Sequence, residues 1–185
     1  MKRTVLFFAI ALLYCSAFSQ ETEEKTKTDI KPQFGFRVGY NISNLDFDPQ
    51  PTMENKHRNG FVIGFYAEYF LSPAITIAPE IMYSAEGGKH DALRVDYVHL
   101  PVLLKFRFGE RFAAGVGPQA SVKVHEHEDG FKNFVFSGLA GIEYNLWEDY
   151  YIDLRYNYGF MNILDNDLDL EAKNHNIQIG FGMKI

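Results

Sequence analysis

The stretch YYIDLRYNYGF, residues 150–160, alternates between two kinds of side chain along its whole length. One parity carries Tyr150, Ile152, Leu154, Tyr156, Tyr158 and Phe160, and the other carries Tyr151, Asp153, Arg155, Asn157 and Gly159. Because successive side chains of a β-strand point to opposite faces, this period of two predicts a strand with one apolar face and one polar face.

Seven further segments repeat this alternation, and none of the chain shows helical periodicity over three turns. They cover residues 33–41, 61–69, 75–84, 98–108, 114–124, 134–145 and 177–185. The connections alternate between long (42–59, 85–94, 125–130, 161–173) and short (71–73, 109–111, 147–149). About eight strands with this alternation are typical of a closed antiparallel up-and-down transmembrane β-barrel, an all-β fold. Both termini and the short turns then lie on one side, expected to be the periplasm.

Charged residues at mid-strand lie on the faces that are rich in glycine. They are Arg37, Glu68, Glu80, Lys105, Arg107, Glu143, Asp153 and Arg155. A basic side chain on the lipid face near the bilayer midplane costs roughly 2–4 kcal/mol, so these residues are expected to point into the lumen. Acids and bases are nearly balanced among them, which predicts a structural network of ion pairs in a narrow lumen.

The alternative is a secreted soluble eight-stranded barrel of the lipocalin type, which also alternates. Besides the position of the mid-strand charges, two features favour the membrane. Each segment offers the roughly 9–11 residues that a tilted strand needs to cross a bilayer. Aromatic residues cluster at the short-turn ends, where an interfacial girdle would lie: Tyr69, Phe108, Phe112, Tyr144, Trp147 and Tyr150.

The first 19 residues predict a signal peptide. Lys2 and Arg3 precede an apolar run that is too short to span a membrane, and the small residues Ala17 and Ser19 indicate cleavage after Ser19. Cys15 is the only cysteine, so the mature chain would contain no thiol. Residues 20–32 are charged and lack aromatics, which predicts a flexible periplasmic lead-in. The barrel is expected to occupy residues 33–185.

Several motifs resemble one family of proteins. They are FGFRVGYNISNL, APEIMYSAEGG, YVHLPVLLKFRF, GVGPQAS and NIQIGFGMKI. The chain resembles the small outer-membrane β-barrel proteins of Bacteroidetes, which include PorT-like proteins, and more distantly the OmpA- and OmpX-like barrels. This resemblance implies the outer membrane of a Gram-negative bacterium. It also implies a structural or interaction role, such as an accessory part in surface assembly or protein secretion.

No segment of the sequence predicts a catalytic, cofactor or metal site. The histidines of His125-Glu126-His127 and the acids of residues 165–171 could bind metal ions. The interpretation we prefer is that both segments are solvated polar loops. No serine or acid lies at a sequence spacing from His99 that would indicate a catalytic set, so we expect that the protein is not an enzyme. The alternatives are an enzyme that modifies outer-membrane lipid and a narrow pore.

The expected partners are outer-membrane lipid, lipopolysaccharide, and surface or periplasmic proteins. The net charge of −6 provides no basic face for a phosphate backbone, so nucleic acid is not expected.

Overall fold

A closed barrel is the architecture of the computed structural model, which describes residues 31–49, 55–126, 130–164 and 171–185. Those residues form eight strands: β1 Gln33–Asp48, β2 Arg58–Phe70, β3 Ile75–Gly87, β4 Arg94–Phe108, β5 Phe112–Glu126, β6 Phe134–Asn145, β7 Tyr150–Gly159 and β8 Glu171–Lys184. Each strand pairs antiparallel with the next, and β8 pairs back with β1. The predicted fold class is confirmed.

The region before the barrel is largely outside this description. The predicted signal peptide and its cleavage after Ser19 lie outside the described residues, as does the lead-in except for residues 31 and 32. Among the described residues, no helix is both long and apolar enough to cross a membrane.

The two strand faces differ sharply in exposure. Phe65 on β2 and Ile179 on β8 are 65% and 56% exposed, whereas Arg37 on β1 is 0% exposed. Large apolar side chains therefore cover the outside of the barrel, and polar side chains fill the inside. A soluble barrel would have the opposite arrangement, since it buries its apolar face.

The strands run farther toward the long loops than the alternation predicted. β1 continues to Asp48 instead of ending near Asn41, and β3 continues to Gly87. The reason is visible in β1, where the parity is kept but the chemistry of the faces inverts after Ser43. Leu45 and Phe47 point inward and are buried, while Asp46 and Asp48 point outward and are exposed. The sequence interpretation equated polar residues with the inside, so it took the inverted part for a loop.

These inverted strand ends enclose an apolar cluster above the polar lumen, which we call the cap cluster. It consists of Leu45, Phe47, Leu93, Val95, Tyr97, Phe131, Val135, Ile163, Leu164 and Ala172. Strands that have left the bilayer face water on their outer side, so their apolar side chains pack inward as in a soluble protein. The cap cluster covers the long-loop end of the lumen.

The short-turn end carries aromatic side chains on its outer surface. Phe108, Phe112 and Trp147 are all more than half exposed. The Phe112 and Tyr144 ring centroids lie 4.9 Å apart, and those of Trp147 and Tyr150 lie 6.3 Å apart. Such rings at one level match the aromatic girdle of a membrane interface.

Candidate functional site

Seven of the eight charged residues predicted for the lumen are buried inside the barrel. They are Arg37, Glu68, Glu80, Lys105, Glu143, Asp153 and Arg155. Arg107 differs, because it is half-buried near the short turns and its guanidinium lies 4.8 Å from the Phe70 ring centroid. It shares the inward parity of Lys105, but it lies where the lumen opens, beyond the ion pairs.

The first cluster is centred on Lys105 of β4. Lys105 Nζ donates to Glu68 Oε1 at 2.7 Å and to Glu143 Oε2 at 2.8 Å, so one ammonium joins β2 to β6 across the lumen. The Tyr66 and Tyr151 rings lie 5.4 Å and 5.7 Å from the same nitrogen. Their π faces add attraction for the cation.

Lys184 of β8 belongs to this cluster, although the sequence interpretation did not include it. Lys184 Nζ lies 3.8 Å from Glu143 Oε1 and donates to Asn145 Oδ1 at 3.2 Å. Lys184 alternates with Gly182 and Gly180 on the polar face of β8, and this parity was a signal for its inclusion.

Two arginine–carboxylate pairs occupy the middle of the lumen. Arg37 donates to both Asp153 oxygens, from Nε at 2.7 Å and from Nη2 at 2.6 Å. Arg155 likewise donates to both Glu80 oxygens, at 2.7 Å and 3.1 Å. Arg155 Nε also lies 3.5 Å from Asp153 Oδ1, which links the two pairs. Bidentate geometry makes these charge-assisted hydrogen bonds strong and directional.

Glycines provide the space that these long side chains occupy. A Cβ added to Gly180 would lie 2.6 Å from Arg37 Nε, and one added to Gly35 would lie 2.3 Å from the Tyr66 ring. An eight-stranded barrel has an interior just wide enough for side chains to fill it. The glycines therefore leave room for the long side chains of the neighbouring strands.

A further polar cluster lies toward the long-loop end and is centred on Glu86, which the sequence interpretation assigned to a loop. Glu86 Oε1 lies 2.7 Å from His99 Nε2 and accepts from Asn176 Nδ2 at 2.9 Å. Glu86 Oε2 accepts from Asn174 Nδ2. Glu86 has the same parity as Glu80 and Ser84, and that parity was the available signal.

Ser121, whose hydroxyl could act as a nucleophile, contacts the same histidine. Its Oγ lies 2.7 Å from His99 Nδ1, so Ser121, His99 and Glu86 follow the order nucleophile, base and acid. No sequence spacing indicated these partners of His99, because the fold brings them together from three different strands. However, Gln119 Nε2 also lies 3.2 Å from His99 Nδ1, and Ser121 is only 2% exposed. The three side chains are enclosed in the lumen.

The two loop segments considered as metal ligands fall mainly outside the described residues. His127 and residues 165–170 belong to the parts that the structure does not describe. Within the described ranges, no group of three or more His, Cys, Asp or Glu side chains is arranged to hold a metal ion.

An apolar outer surface, a lumen of paired charges and a closed antiparallel sheet together define a transmembrane β-barrel of the outer-membrane type. The sequence matches the outer membrane protein beta-barrel domain family over residues 7–184, and the chain belongs to that family. It is an outer-membrane protein. Among curated proteins, none matches the chain in sequence.

Solved structures of bacterial surface barrels have a similar fold. Neisserial surface protein A, NspA, is 12% identical with a TM-score of 0.58, and the match covers 82% of this chain and 97% of that one. The attachment invasion locus protein Ail of Yersinia pestis is 17% identical with a TM-score of 0.51, covering 84% and 99%. At these identities the likeness concerns the fold alone.

Proposed function

We propose that this chain is a structural and interaction protein of the outer membrane, not an enzyme. The barrel anchors the long loops at the outer surface, where they contact lipopolysaccharide and surface proteins. The short-turn side faces the periplasm and is available to periplasmic partners. No cofactor takes part in this role.

The filled lumen is the observation that carries this proposal. Paired charges occupy its lower and middle levels, the Glu86 cluster lies above them, and the cap cluster covers the long-loop end. Charged side chains that are paired with fixed partners in the lumen are suited to holding the strands together. Recognition is then left to the outer surface and the loops, which commonly carry binding in a rigid scaffold.

Membrane fractionation and planar-bilayer recording test the proposal together. The folded protein should be recovered with outer membranes, migrate differently before and after boiling, and produce no channel steps when reconstituted. Regular conductance steps that change with Lys105→Met would instead support a narrow pore. Recovery as a soluble periplasmic protein would contradict the membrane role itself.

Export is part of the same proposal. The chain enters the periplasm by its N-terminal segment and loses residues 1–19, so that the mature protein begins at Gln20. Mass spectrometry of the protein isolated from outer membranes measures this directly. A retained Met1 would contradict the cleavage site.

An accessory role in surface assembly or protein secretion is the narrower form of the proposal, and it rests on the resemblance to PorT-like proteins alone. A clean deletion of the gene should then reduce the amount of secreted or surface-assembled protein while leaving the outer membrane intact. A normal amount of secreted protein in the deletion strain would contradict this narrower role.

A lipid-modifying enzyme is the second candidate, because Ser121, His99 and Glu86 are within hydrogen-bond distance in a catalytic order. An acyl substrate would have to enter the lumen to reach Ser121, which is buried. We therefore expect lipid A from cells expressing Ser121→Ala to match that from cells expressing the unchanged protein. A mass difference of one acyl chain between them would favour the enzyme.

A further inference from the structure

A small cavity lies toward the long-loop end of the lumen, beside the contact between Ser121 and His99. It has a volume of about 10 Å³, and its wall on β6 and β7 contains Ser137, Asn157 and Gly159. Gly159 lies directly opposite Ser137 in the β6–β7 register, and Asn157 lies two residues earlier on the same inward face of β7. Because glycine has no side chain, the position that faces Ser137 is left unfilled.

Two polar groups at this cavity have an unmet hydrogen bond within the described parts of the chain. Asn157 Oδ1 is buried and accepts no hydrogen bond from the described residues. Ser137 Oγ accepts from Gln119 Nε2 at 3.1 Å, but its own hydroxyl proton has no acceptor among those residues. Asn157 and Ser137 are only 2% and 5% exposed. An acceptor that needs a donor therefore lies near a donor that needs an acceptor, without a direct hydrogen bond between them.

Four other polar side chains around the cavity already have partners. Ser121, His99 and Glu86 are joined to one another, and Asn174 donates to Glu86. Asn174 also accepts from Ser43 Oγ at 3.0 Å. The two unmet groups therefore face the cavity from β6 and β7, and a ligand that completes them must both donate and accept a hydrogen bond.

A water molecule meets both requirements at once. It can accept from the Ser137 hydroxyl and donate to Asn157 Oδ1, and buried waters commonly complete otherwise unsatisfied groups in this way. The least room that holds one water is about 10–15 Å³, so the cavity is too small for a larger ligand. An ammonium ion could not accept from Ser137, and the nearby carboxylate of Glu86 is already bound by His99 and two asparagine amides.

We propose that the lumen contains a binding site for a single structural water, which bridges Ser137 on β6 to Asn157 on β7. This site goes beyond the proposed function and depends on none of its parts. Tyr97, Val135 and Ile163 of the cap cluster also line the cavity, so the water exchanges with the outside only when the cap cluster opens.

The bound water also has a consequence for Ser121, which lines the same cavity. A site filled by one water leaves no room for an acyl group beside the Ser121 hydroxyl. Ser121 and His99 then belong to a closed polar network, and access to them requires the cap cluster to move.

A crystal structure of the unchanged protein tests the site directly. We expect one isolated peak of electron density within about 2.5–3.2 Å of both Ser137 Oγ and Asn157 Oδ1. An empty cavity, or a direct hydrogen bond between the two side chains, would overturn the proposal. This test remains decisive if a variant of either residue does not fold.

A double-mutant cycle tests the same bridge in the protein folded into vesicles. Ser137→Ala and Asn157→Ala each remove one partner of the water and should lower the urea midpoint of unfolding. The double variant should lower the midpoint by clearly less than the sum, because the first substitution has already broken the bridge. The matched control cycle combines Asn157→Ala with Ser84→Ala, a buried lumen serine that does not line the cavity, and should be additive.

The outcomes of the cycle separate a water bridge from other causes. Additive losses for Ser137 and Asn157 would overturn the bridge, and so would equal coupling in both cycles. A midpoint that rises in ammonium chloride but not in sodium chloride would identify a bound cation and overturn the water. Mobility before and after boiling verifies that each variant is folded. Binding of lipopolysaccharide or of protein partners is measured separately, so the proposed function stands or fails on its own.

Discussion

At the scale of single residues, Gly180 shows how little free space the lumen contains. Alanine there would place a Cβ 2.6 Å from the Arg37 guanidinium, which is held by Asp153 in a bidentate pair. We expect Gly180→Ala to lower the free energy of unfolding by about 1–3 kcal/mol, because the arginine must move off its partner. Urea unfolding from lipid vesicles measures this change.

Gly115 is the matched control for that substitution. It also lies in a strand next to a charged lumen side chain, but the atom nearest to an added Cβ would be Lys105 Cγ, at 3.3 Å. A methylene in a flexible side chain can shift by a few tenths of an ångström, so Gly115→Ala should cost clearly less. Equal losses at the two glycines would show that contact with Arg37 is not the cause.

Within the first cluster, the removal of Lys105 should cost the most stability. Lys105→Met leaves Glu68 and Glu143 buried without the ammonium that both contact. Removing one partner of a buried ion pair costs roughly 3–5 kcal/mol. Unfolding in urea should therefore occur at much lower concentration. The triple variant Glu68→Gln, Lys105→Met and Glu143→Gln should recover part of the loss, whereas an additive loss would argue against the network.

At the scale of a strand, β1 crosses from lipid to water while its side chains keep their parity. Val38 and Asp46 both point outward, but Val38 lies in the apolar band and Asp46 lies beyond the inversion. Val38→Arg should lower the free energy of unfolding from vesicles by about 2–4 kcal/mol, whereas Asp46→Arg should cost clearly less, because it stays in water and meets only the like charge of Lys173 opposite it. The same urea titration compares them, and similar losses at both positions would contradict the bilayer boundary at Ser43.

At the scale of the whole molecule, closure depends on the pairing of the first strand with the last. Val38 lies opposite Phe181 in the β1–β8 register, and paired residues on neighbouring antiparallel strands are close enough for a disulfide. Val38→Cys with Phe181→Cys should cross-link upon oxidation, since Cys15 is the only native cysteine. After boiling, the oxidised protein should run faster on a gel than the reduced protein, because the disulfide keeps the unfolded chain in a compact loop.

The control for this cross-link keeps Val38→Cys and moves the second cysteine to Ile177. Ile177 lies opposite Ile42, four residues farther along β1 and therefore about 13 Å away at the usual rise of a strand. No intramolecular disulfide should form in this variant. Efficient cross-linking of the control, or none in the Val38 and Phe181 pair, would show that β1 and β8 pair differently.

The sequence by itself determined the number of strands, their antiparallel order and the inward direction of Arg37, Lys105 and Arg155. These features depend on the short turns and on local alternation, and the alternation of residues 150–160 recurs in the other segments of the chain. Alternation alone does not say which face meets lipid, since a soluble barrel alternates too; the segment lengths, the mid-strand charges and the aromatic residues at the short turns indicated the lipid face.

Only the tertiary structure decided which side chains meet. Glu86, His99, Ser121 and Asn174 come from four strands, yet their side chains are joined by hydrogen bonds in the lumen. Strand alternation determines a face but not the register between strands, and a shift of register would change every partner across the lumen. The inversion of β1 after Ser43 likewise appears only when closure shows that Leu45 and Phe47 enclose an apolar core above the membrane.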